Sequence, residues 1–279
     1  MVATGTNRKV NRAILYTVVI ILSLLFLFPG LWTFLNSLRS IYSINQLIPS
    51  SIHWGNYAMA FTLVPYLQYI GNSFIISGIT VVLTTISSGI VGFGFARLEA
   101  PGKKFLFMFI LSTMMLPTVV TQIPTYVVFN RIGLTNNFWP WVFWGIGGSP
   151  FFIFLYRQFF MNIPKDLDES ARIDGCTSFG IFWRIFIPLS IPIITTVVVM
   201  SFQGSWGDFM TPFMFLDSDK WNLATALIGA NYTLPNNPNI QLIPVINAAT
   251  LLFALPIIIT FFIGQRYLIE GIVTSGLKA

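Results

Sequence analysis

Long charge-free apolar runs recur along this chain of 279 residues, and short polar segments separate them. A transmembrane helix needs about 20 mainly apolar residues. One Lys or Arg at mid-membrane costs roughly 2.5–3.5 kcal/mol on insertion scales, so the lack of charge within these runs also favours membrane spans. Six transmembrane helices are predicted, over residues 13–37, 72–96, 105–130, 138–156, 185–207 and 243–264. Residues 265–279 are predicted as a polar tail.

The first run has two possible interpretations. A cleaved signal peptide has an apolar core of about 7–15 residues and ends in a site of small residues. The run 13–37 is longer and contains Pro29 and Trp32 near its end, which favours a retained anchor. Residues 1–12 are then a cytoplasmic N-terminal segment, and residues 13–279 form a single transmembrane domain.

The composition excludes an ordinary soluble protein and most enzyme sites. Hydrophobic residues make up 55% of the chain and charged residues 9%, whereas about a quarter of residues are charged in a typical soluble domain. The single cysteine excludes an internal disulfide, and the single histidine, His53, argues against a histidine metal site or a Ser-His-Asp triad. Gly102-Lys103-Lys104 lacks the first glycine and the hydroxyl of a phosphate-binding loop. No catalytic residue and no metal ligand is predicted.

The net charge of +6 is distributed unevenly between the two sides of the predicted membrane domain. With six spans both termini lie on one side, and that side carries twelve of the fifteen Lys and Arg residues. Positive charge favours the cytoplasmic side, so both termini are predicted to be cytoplasmic. The charge therefore indicates membrane orientation and not a nucleic-acid partner.

A polar segment interrupts the apolar pattern between the fourth and fifth predicted spans. Residues 164–188 hold four of the nine acidic residues of the chain. Pro164 suits the first turn of a helix, and the acidic residues after it lie near the positive end of the helix dipole. Gly175 is a predicted helix stop, and Thr177 or Ser178 is the predicted N-cap of a second short helix.

The second short helix carries four aromatic residues, Phe179, Phe182, Trp183 and Phe186. Their spacing of i, i+3, i+4 and i+7 predicts that they share one face. Two short helices with a charged rim and an aromatic face are typical of a docking surface for another protein. The same pattern also fits an amphipathic helix that lies on the lipid surface.

The motif Glu169-Ser170-Ala171, followed by Asp174-Gly175 and then by Ile185-Phe186-Ile187-Pro188, resembles the EAA loop of ABC importer permeases. The spacing from Glu169 to Gly175 to Pro188 fits that loop throughout. Ser170 stands where the family usually has Ala, and Ile187 stands where it usually has Leu.

Further motifs extend the resemblance over nearly the whole chain, to the smaller permease of maltose-type carbohydrate transporters. They are Asn72-Ser73-Phe74, Ala96-Arg97-Leu98, Pro101-Gly102-Lys103, Leu116-Pro117, Ile123-Pro124, Trp206-Gly207-Asp208-Phe209 and Gln265-Arg266-Tyr267, with Gly271, Gly276 and Lys278. Gly207 departs from the family, which usually has Asn beside the Trp, so no amide contact with a solute is carried over to that position.

The resemblance implies an all-α membrane protein in which residues 161–188, the coupling loop, dock on a separate ATP-hydrolysing subunit. The residues carried over to this role are Glu169, Ser170, Ala171, Arg172, Asp174, Gly175 and Pro188. The implied partners are a second permease subunit, two ATPase subunits and an extracytoplasmic solute-binding protein. ATP and magnesium would bind the ATPase subunits, and no cofactor is expected in this chain.

Polar residues inside spans are costly and tend to face the bundle interior or a water-filled cavity. A translocation path is predicted at Asn72, Gln122, Gln203, Trp206 and Asp208. Amides, a carboxylate and an aromatic face together suit a sugar. The alternative for each residue is a helix–helix hydrogen bond or, for the indole, anchoring at the membrane interface.

The sequence thus predicts a multi-pass permease in a bacterial cytoplasmic membrane, part of an ATP-driven importer for a sugar or oligosaccharide. One alternative is a permease for a polyol or a glycerol phosphate. Another is a stand-alone multi-span transporter whose charged loop rests on the bilayer.

Overall fold

The structure is a computed structural model that describes residues 5–41, 51–234 and 237–276. These residues form α-helices joined by short turns, with a two-stranded antiparallel hairpin late in the chain. The predicted all-α class is therefore confirmed. Lys278, a position noted in the sequence, lies outside the described residues.

In chain order, helices of the first half are α1 (Gly5–Ser37), α2 (Gly55–Thr62), α3 (Tyr66–Arg97), α4 (Lys103–Thr113), α5 (Thr118–Arg131), α6 (Trp139–Gly147) and α7 (Pro150–Met161). The middle of the chain has α8 (Asp166–Ile173), α9 (Ser178–Ile181), a π-helical segment (Phe182–Phe186), α10 (Ile187–Leu189) and α11 (Ile191–Gly207). The chain continues through α12 (Met210–Phe215), α13 (Leu223–Gly229), β1 (Thr233–Leu234), β2 (Asn237–Gln241) and α14 (Ile243–Gly276).

Within the described residues, three helices are long and apolar enough to cross a membrane, and five spans result if each of two bent helix pairs counts as one. The three are α1, α3 and α14, and the bent pairs are α4 with α5 and α9–α10 with α11. The fourth predicted span, over 138–156, is divided between α6 and α7. The predicted polar tail from residue 265 continues α14 as helix as far as Gly276.

The first bent pair follows from proline chemistry. The axes of α4 and α5 differ by 97°, and Pro117 lies at the break in an extended conformation with ψ 130°. Proline disfavours helical geometry in the residue before it, which ends the preceding helix. The two prolines of this run would both be expected to disturb a helix, but Pro124 lies inside α5 without a break. The second pair is bent by 80° at Ser190, between Pro188 and Pro192.

Gly148 causes the division between α6 and α7. Its φ of +71° lies in a region that L side chains rarely adopt. A Cβ at this position would also lie 3.1 Å from the Ser88 hydroxyl oxygen. The backbone nitrogen of Ser149 donates a 3.0 Å hydrogen bond to that same hydroxyl, which ties the junction to α3.

Residues of the described chain group into two compact units, one of residues 1–66 and 230–254, the other of residues 67–229 and 255–279. In the first unit the Asn56 side chain donates to the backbone oxygens of Ser37 and Arg39, at 2.7 and 2.8 Å. The Tyr66 hydroxyl donates to the backbone oxygen of Ala249 at 2.8 Å. These bonds satisfy buried polar groups and fix the loops that precede α2 and α3.

The second unit contains an aromatic core that joins α3, α7 and the π-helical segment. Phe93, Tyr156, Phe160, Phe182 and Phe186 are all buried there. The ring centroids of Phe93 and Phe186 lie 4.9 Å apart in an edge-on arrangement. Edge-on aromatic pairs contribute about 0.5–1.5 kcal/mol beyond the burial of their area.

Small residues allow α3 to approach its neighbours closely. A Cβ on Gly92 would lie 2.6 Å from the Cβ of Tyr156 and 3.2 Å from the backbone nitrogen of Arg157. A Cβ on Gly145 in α6 would lie 2.6 Å from the Cβ of Leu83 in α3. Close backbone approach at small residues is the usual packing mode of membrane helices.

Gly92→Ala is expected to lower the free energy of unfolding by about 1–3 kcal/mol, because the added Cβ meets main-chain and Cβ atoms that cannot rotate away. Gly94→Ala is the matched control, since nothing lies within 4 Å of a Cβ at Gly94 and alanine favours the helix. Thermal unfolding in detergent micelles measures both variants. Equal melting temperatures would contradict the described contact.

Candidate functional sites: the coupling loop and a polar pocket

The coupling loop is built from the local signals in its sequence. Helix α8 ends at Ile173, and Gly175 follows with φ +79°, which satisfies the predicted helix stop. The backbone nitrogen of Cys176 then bonds the backbone oxygen of Ala171 at 2.9 Å, as expected for a Schellman-type end. The Thr177 hydroxyl accepts a 3.2 Å hydrogen bond from the Gly180 backbone nitrogen, so the predicted N-cap is confirmed.

One side of the coupling loop packs into the helix bundle. Ala171, Ile181, Phe182 and Phe186 are buried, and Phe186 has no exposed surface at all. Their neighbours belong to the aromatic core of α3 and α7. Apolar contacts therefore attach this side of the loop to the bundle.

The opposite side of the loop exposes large apolar side chains. Ile173 is 86% exposed and Phe179 is 67% exposed, and Trp183 is also exposed. The four aromatic residues were predicted to share one face, and this prediction is wrong in part. Phe182 and Phe186 point into the bundle while Phe179 and Trp183 face outward, because the wider π-helical turn changes the register of the face.

The predicted coupling residues occupy both sides of this structure. Glu169, Ser170, Arg172, Asp174, Gly175 and Pro188 are exposed, whereas Ala171 is buried. Along α8, Glu169 lies one turn before the exposed Ile173, and Arg172 and Asp174 are its two neighbours in sequence. These positions combine exposed charge with an exposed apolar side chain, and the coupling role of these residues stays a prediction.

Arg97, at the C-terminal end of α3, was not identified from the sequence as a site residue. Its Nη2 donates to the backbone oxygen of Phe160 at 2.8 Å and to that of Ile163. Its Nε lies 3.5 Å from Oδ2 of Asp168, and these two side chains are only 5% and 13% exposed. The guanidinium carbon lies 5.0 Å from the centre of the Phe186 ring. Arg97 therefore contacts α7, the coupling loop and the aromatic core together.

Burial raises the pKa of the Asp168 carboxyl above its ordinary value, against the opposing effects of Arg97 and Arg172. The sequence does carry a signal for this contact, because Arg97 ends a charge-free run inside the motif Ala96-Arg97-Leu98. The partner of Arg97 could not be read from the sequence, since Asp168 lies far along the chain on another helix.

A polar pocket of about 450 Å³ opens between α3, α5, α6 and α11. Its polar lining residues are Thr80, Thr84, Thr118, Thr121, Gln122, Thr125, Ser149, Ser201, Ser205, Asp208 and Thr211, and its aromatic ones are Trp141, Trp144, Phe152 and Phe215. A second cavity shares Gln122 and Asp208 with this pocket and is also lined by Gln203. Pockets of this size with a few polar groups are typical of small-molecule sites.

Three of the five predicted path residues, Gln122, Gln203 and Asp208, line these cavities. Asn72 and Trp206 are not among the lining residues. The Asn72 amide donates to the backbone oxygens of Trp221 and Asp219, at 3.0 and 3.2 Å.

Trp206 is 1% exposed and its ring stacks on Phe202, with Phe74 edge-on to it. Trp206 thus packs between helices, and the Asn72 amide bonds the backbone of a loop. Neither side chain lines either of these two cavities in the described part of the chain. Their role in translocation stays a prediction without support from the cavity geometry.

Sequence reasoning missed most of the hydroxyl groups in the pocket. Thr80 and Thr84 are four residues apart in α3, and Thr118, Thr121 and Thr125 are three or four apart in α5. Residues at this spacing share one helix face. The repeated spacing is the sequence signal that would have found them.

Comparison with known proteins identifies the family. Residues 88–273, more than half of the chain, match the family described as "Binding-protein-dependent transport system inner membrane component". The probable ABC transporter permease protein YurM of Bacillus subtilis (strain 168) is 32% identical over 90% of this chain and 83% of its own length. A second relative in the same organism is the arabinooligosaccharides transport system permease protein AraQ. It is 31% identical, and the match covers 97% of this chain and 97% of AraQ.

A solved structure shares the fold. It is the crystal structure of a bacterial ABC transporter involved in the import of the acidic polysaccharide alginate, with a TM-score of 0.82 and 20% identity. The match covers 96% of this chain and 99% of that one. With the family match and relatives above 30% identity over most of its length, the chain belongs to the inner membrane components of binding-protein-dependent transport systems.

Proposed function

We propose that this chain is the transmembrane permease subunit of an ATP-driven ABC importer that moves a sugar or oligosaccharide into the cytoplasm. Relatives described as permeases for arabinooligosaccharides and for maltodextrin support the class of solute. An extracytoplasmic binding protein would deliver the solute, and a second permease subunit would complete the membrane domain. ATP and magnesium would bind two separate ATPase subunits, with no cofactor in this chain.

The observation that carries the proposal is the two-sided coupling loop. Its inner side is fixed to α3 and α7 by buried aromatic residues, and its outer side presents Ile173 within a rim of charge. A surface of this kind transmits a push from a docked protein to the helices behind it. Closure of the ATPase dimer on ATP would move the loop, and the attached helices would open the pocket outward.

The roles of the coupling residues follow from their positions. Glu169, Arg172 and Asp174 would form polar contacts with the ATPase subunit, with Ser170 and Pro188 beside them on the exposed surface. Ala171 would hold α8 against the bundle, where it is buried. Gly175 would form the turn between the two short helices.

The proposed membrane arrangement has six spans, with α6 and α7 together forming the fourth. The distribution of Lys and Arg supports this arrangement, because it puts twelve of the fifteen on one side. Residues 1–12 and the C-terminal end would then be cytoplasmic, and residues 13–279 would form one permease domain. The polar pocket, with Gln122, Gln203 and Asp208, would be this subunit's part of the translocation path.

Ile173→Glu is expected to reduce co-purification of the ATPase subunit at least about tenfold, because it places a charge at the apolar centre of the proposed contact. Ile132→Glu is the matched control, since Ile132 is also exposed, at 61%, but follows α5 in a loop assigned to the outer side. The measurement is affinity purification of the tagged permease from membranes. Isolation of the unmodified chain as a functional transporter without any ATPase would contradict the proposal.

Gly175→Ala is expected to lower ATP-driven uptake, because a side chain strains the left-handed turn that joins the two short helices. Gly102→Ala is the control, since Gly102 has nearly the same φ, +78°, and equally open surroundings between α3 and α4. Both variants should lose about 1–2 kcal/mol of stability. Solute uptake into membrane vesicles separates them, and an equal effect of the two substitutions on uptake would count against a coupling role for Gly175.

A further inference from the structure

Four of the nine hydroxyl groups in the described lining of the polar pocket donate their proton to their own helix and are thereby fixed as acceptors toward the cavity. Oγ1 of Thr80 donates its proton to the Ile76 backbone oxygen at 2.8 Å, and Oγ1 of Thr125 donates to that of Thr121 at 2.6 Å. Oγ of Ser205 donates to the Ser201 backbone oxygen at 2.9 Å. A hydroxyl has one proton and two lone pairs. Once the proton is bound to the helix backbone, the oxygen offers only acceptor positions to the pocket.

Gln122 and Asp208 add further acceptors to the pocket. Nε2 of Gln122 donates to Oγ1 of Thr211 at 3.4 Å, which leaves its Oε1 as an acceptor and its second N–H as a donor. An ionised carboxylate accepts only, and Asp208 uses one oxygen to accept from the Thr211 backbone nitrogen at 3.1 Å. Within the described parts of the chain, the pocket lining holds no Lys, Arg or His.

We infer that this pocket takes a hydroxyl-rich saccharide without an anionic group, and that it discriminates against uronate and phosphate sugars. Sugar hydroxyls can donate to these fixed oxygens and to the Asp208 carboxylate. An anion is held best by cationic groups, and here the described lining would offer it no Lys, Arg or His and would place it beside Asp208. The inference rests on the proposed function, because it names the solute class of the same translocation path.

The test is transport by the complete importer, isolated from its host with its partner subunits and reconstituted in vesicles. The probes are two neutral oligosaccharides, maltotriose and arabinotriose, and two anions, an alginate trisaccharide and glycerol 3-phosphate. ATP-dependent accumulation of a neutral probe, at least about tenfold above either anion, is expected. Accumulation of an anion to the same extent would overturn the inference. So would rejection of both neutral probes by a complex with an active ATPase, whereas absence of any ATPase partner would refute the proposed function itself.

A variant pair tests whether the pocket hydroxyls contact the solute. Thr125→Val removes an acceptor of the lining with little change in volume, and should raise the KM for the transported neutral saccharide about fivefold. Thr260→Val is the control, because Thr260 makes the same type of bond, to the Pro256 backbone oxygen at 2.7 Å, in α14 outside the lining. Equal KM values for the two variants would contradict direct recognition by the pocket.

A different set of contacts carries a second proposal, at Arg97. Its guanidinium binds two backbone oxygens at the end of α7, lies beside Asp168 of α8 and covers the Phe186 ring. A planar guanidinium can satisfy several partners at fixed angles, which a lysine ammonium cannot. Oδ1 of Asp168 and Nε of Arg97 are buried without a hydrogen-bond partner in the described structure, so a small shift of α8 toward α3 would form a direct bond.

The structure assigns Arg97 as a positioning residue that transmits movement of the coupling loop to α3. The same helix carries Thr84 and Thr80 in the pocket wall, about 20 and about 26 Å from Arg97 at 1.5 Å per residue. Movement of α8 would therefore reach the pocket through one continuous helix. A residue with this role affects the ratio of uptake to ATP hydrolysis, not the docking of the ATPase.

Arg97→Lys in the complete importer should keep the ATPase bound and its basal hydrolysis active, while solute uptake per ATP hydrolysed falls at least about fivefold. Arg157→Lys is the control, since that guanidinium also bonds a helix-end carbonyl, that of Phe95 at 3.3 Å, and covers the Phe107 ring at 4.2 Å. An unchanged ratio in Arg97→Lys would overturn the assignment. Loss of the bound ATPase in that variant would also overturn it, because it would indicate a docking role.

Discussion

The burial of a few aromatic rings at the C-terminal ends of α3 and α7 is the constraint on which the rest of the structure depends. A segment rich in charge must be held firmly to helices that are almost wholly apolar. Phe182 and Phe186 provide this hold, because they are buried against Phe93 and Phe160 while Asp166, Glu169 and Arg172 of α8 stay exposed and Asp168 lies beside Arg97. A proposed transmission of force from the loop to the membrane helices requires this attachment.

Features that depend on a few neighbouring residues could be predicted from the sequence. Gly175 as a helix stop and Thr177 as an N-cap are set by backbone geometry and by one short hydrogen bond. The contact between Arg97 and Asp168 could not be predicted, because it depends on how α3, α7 and α8 pack together. The predicted aromatic face was wrong in part for a similar reason. The prediction assumed an ideal α-helix, whereas a π-helical turn changes which side chains share a face.

The apolar runs were predicted from composition, but composition did not predict where the helices within these runs are interrupted. Composition cannot distinguish Pro117, which ends a helix, from Pro124, which a helix accommodates. For the translocation path, the sequence favoured less common residues such as Asn72 and Trp206. In the structure the Asn72 amide bonds the backbone of a loop, and the Trp206 ring contributes to helix packing. The threonines that line the pocket were overlooked because threonine is common in apolar helices and its hydroxyl is easily satisfied by its own helix.

The sharp bend before α5 has a consequence for the cavity beside it. The backbone nitrogens of Met114, Met115 and Leu116 bond oxygens three residues earlier, so tight turns join the two helices and satisfy these donors. Irregular backbone within a membrane is stable only beside protein or water. Thr118, the residue after Pro117, lies in the wall of the polar pocket, so the angle between α4 and α5 also sets where that wall stands.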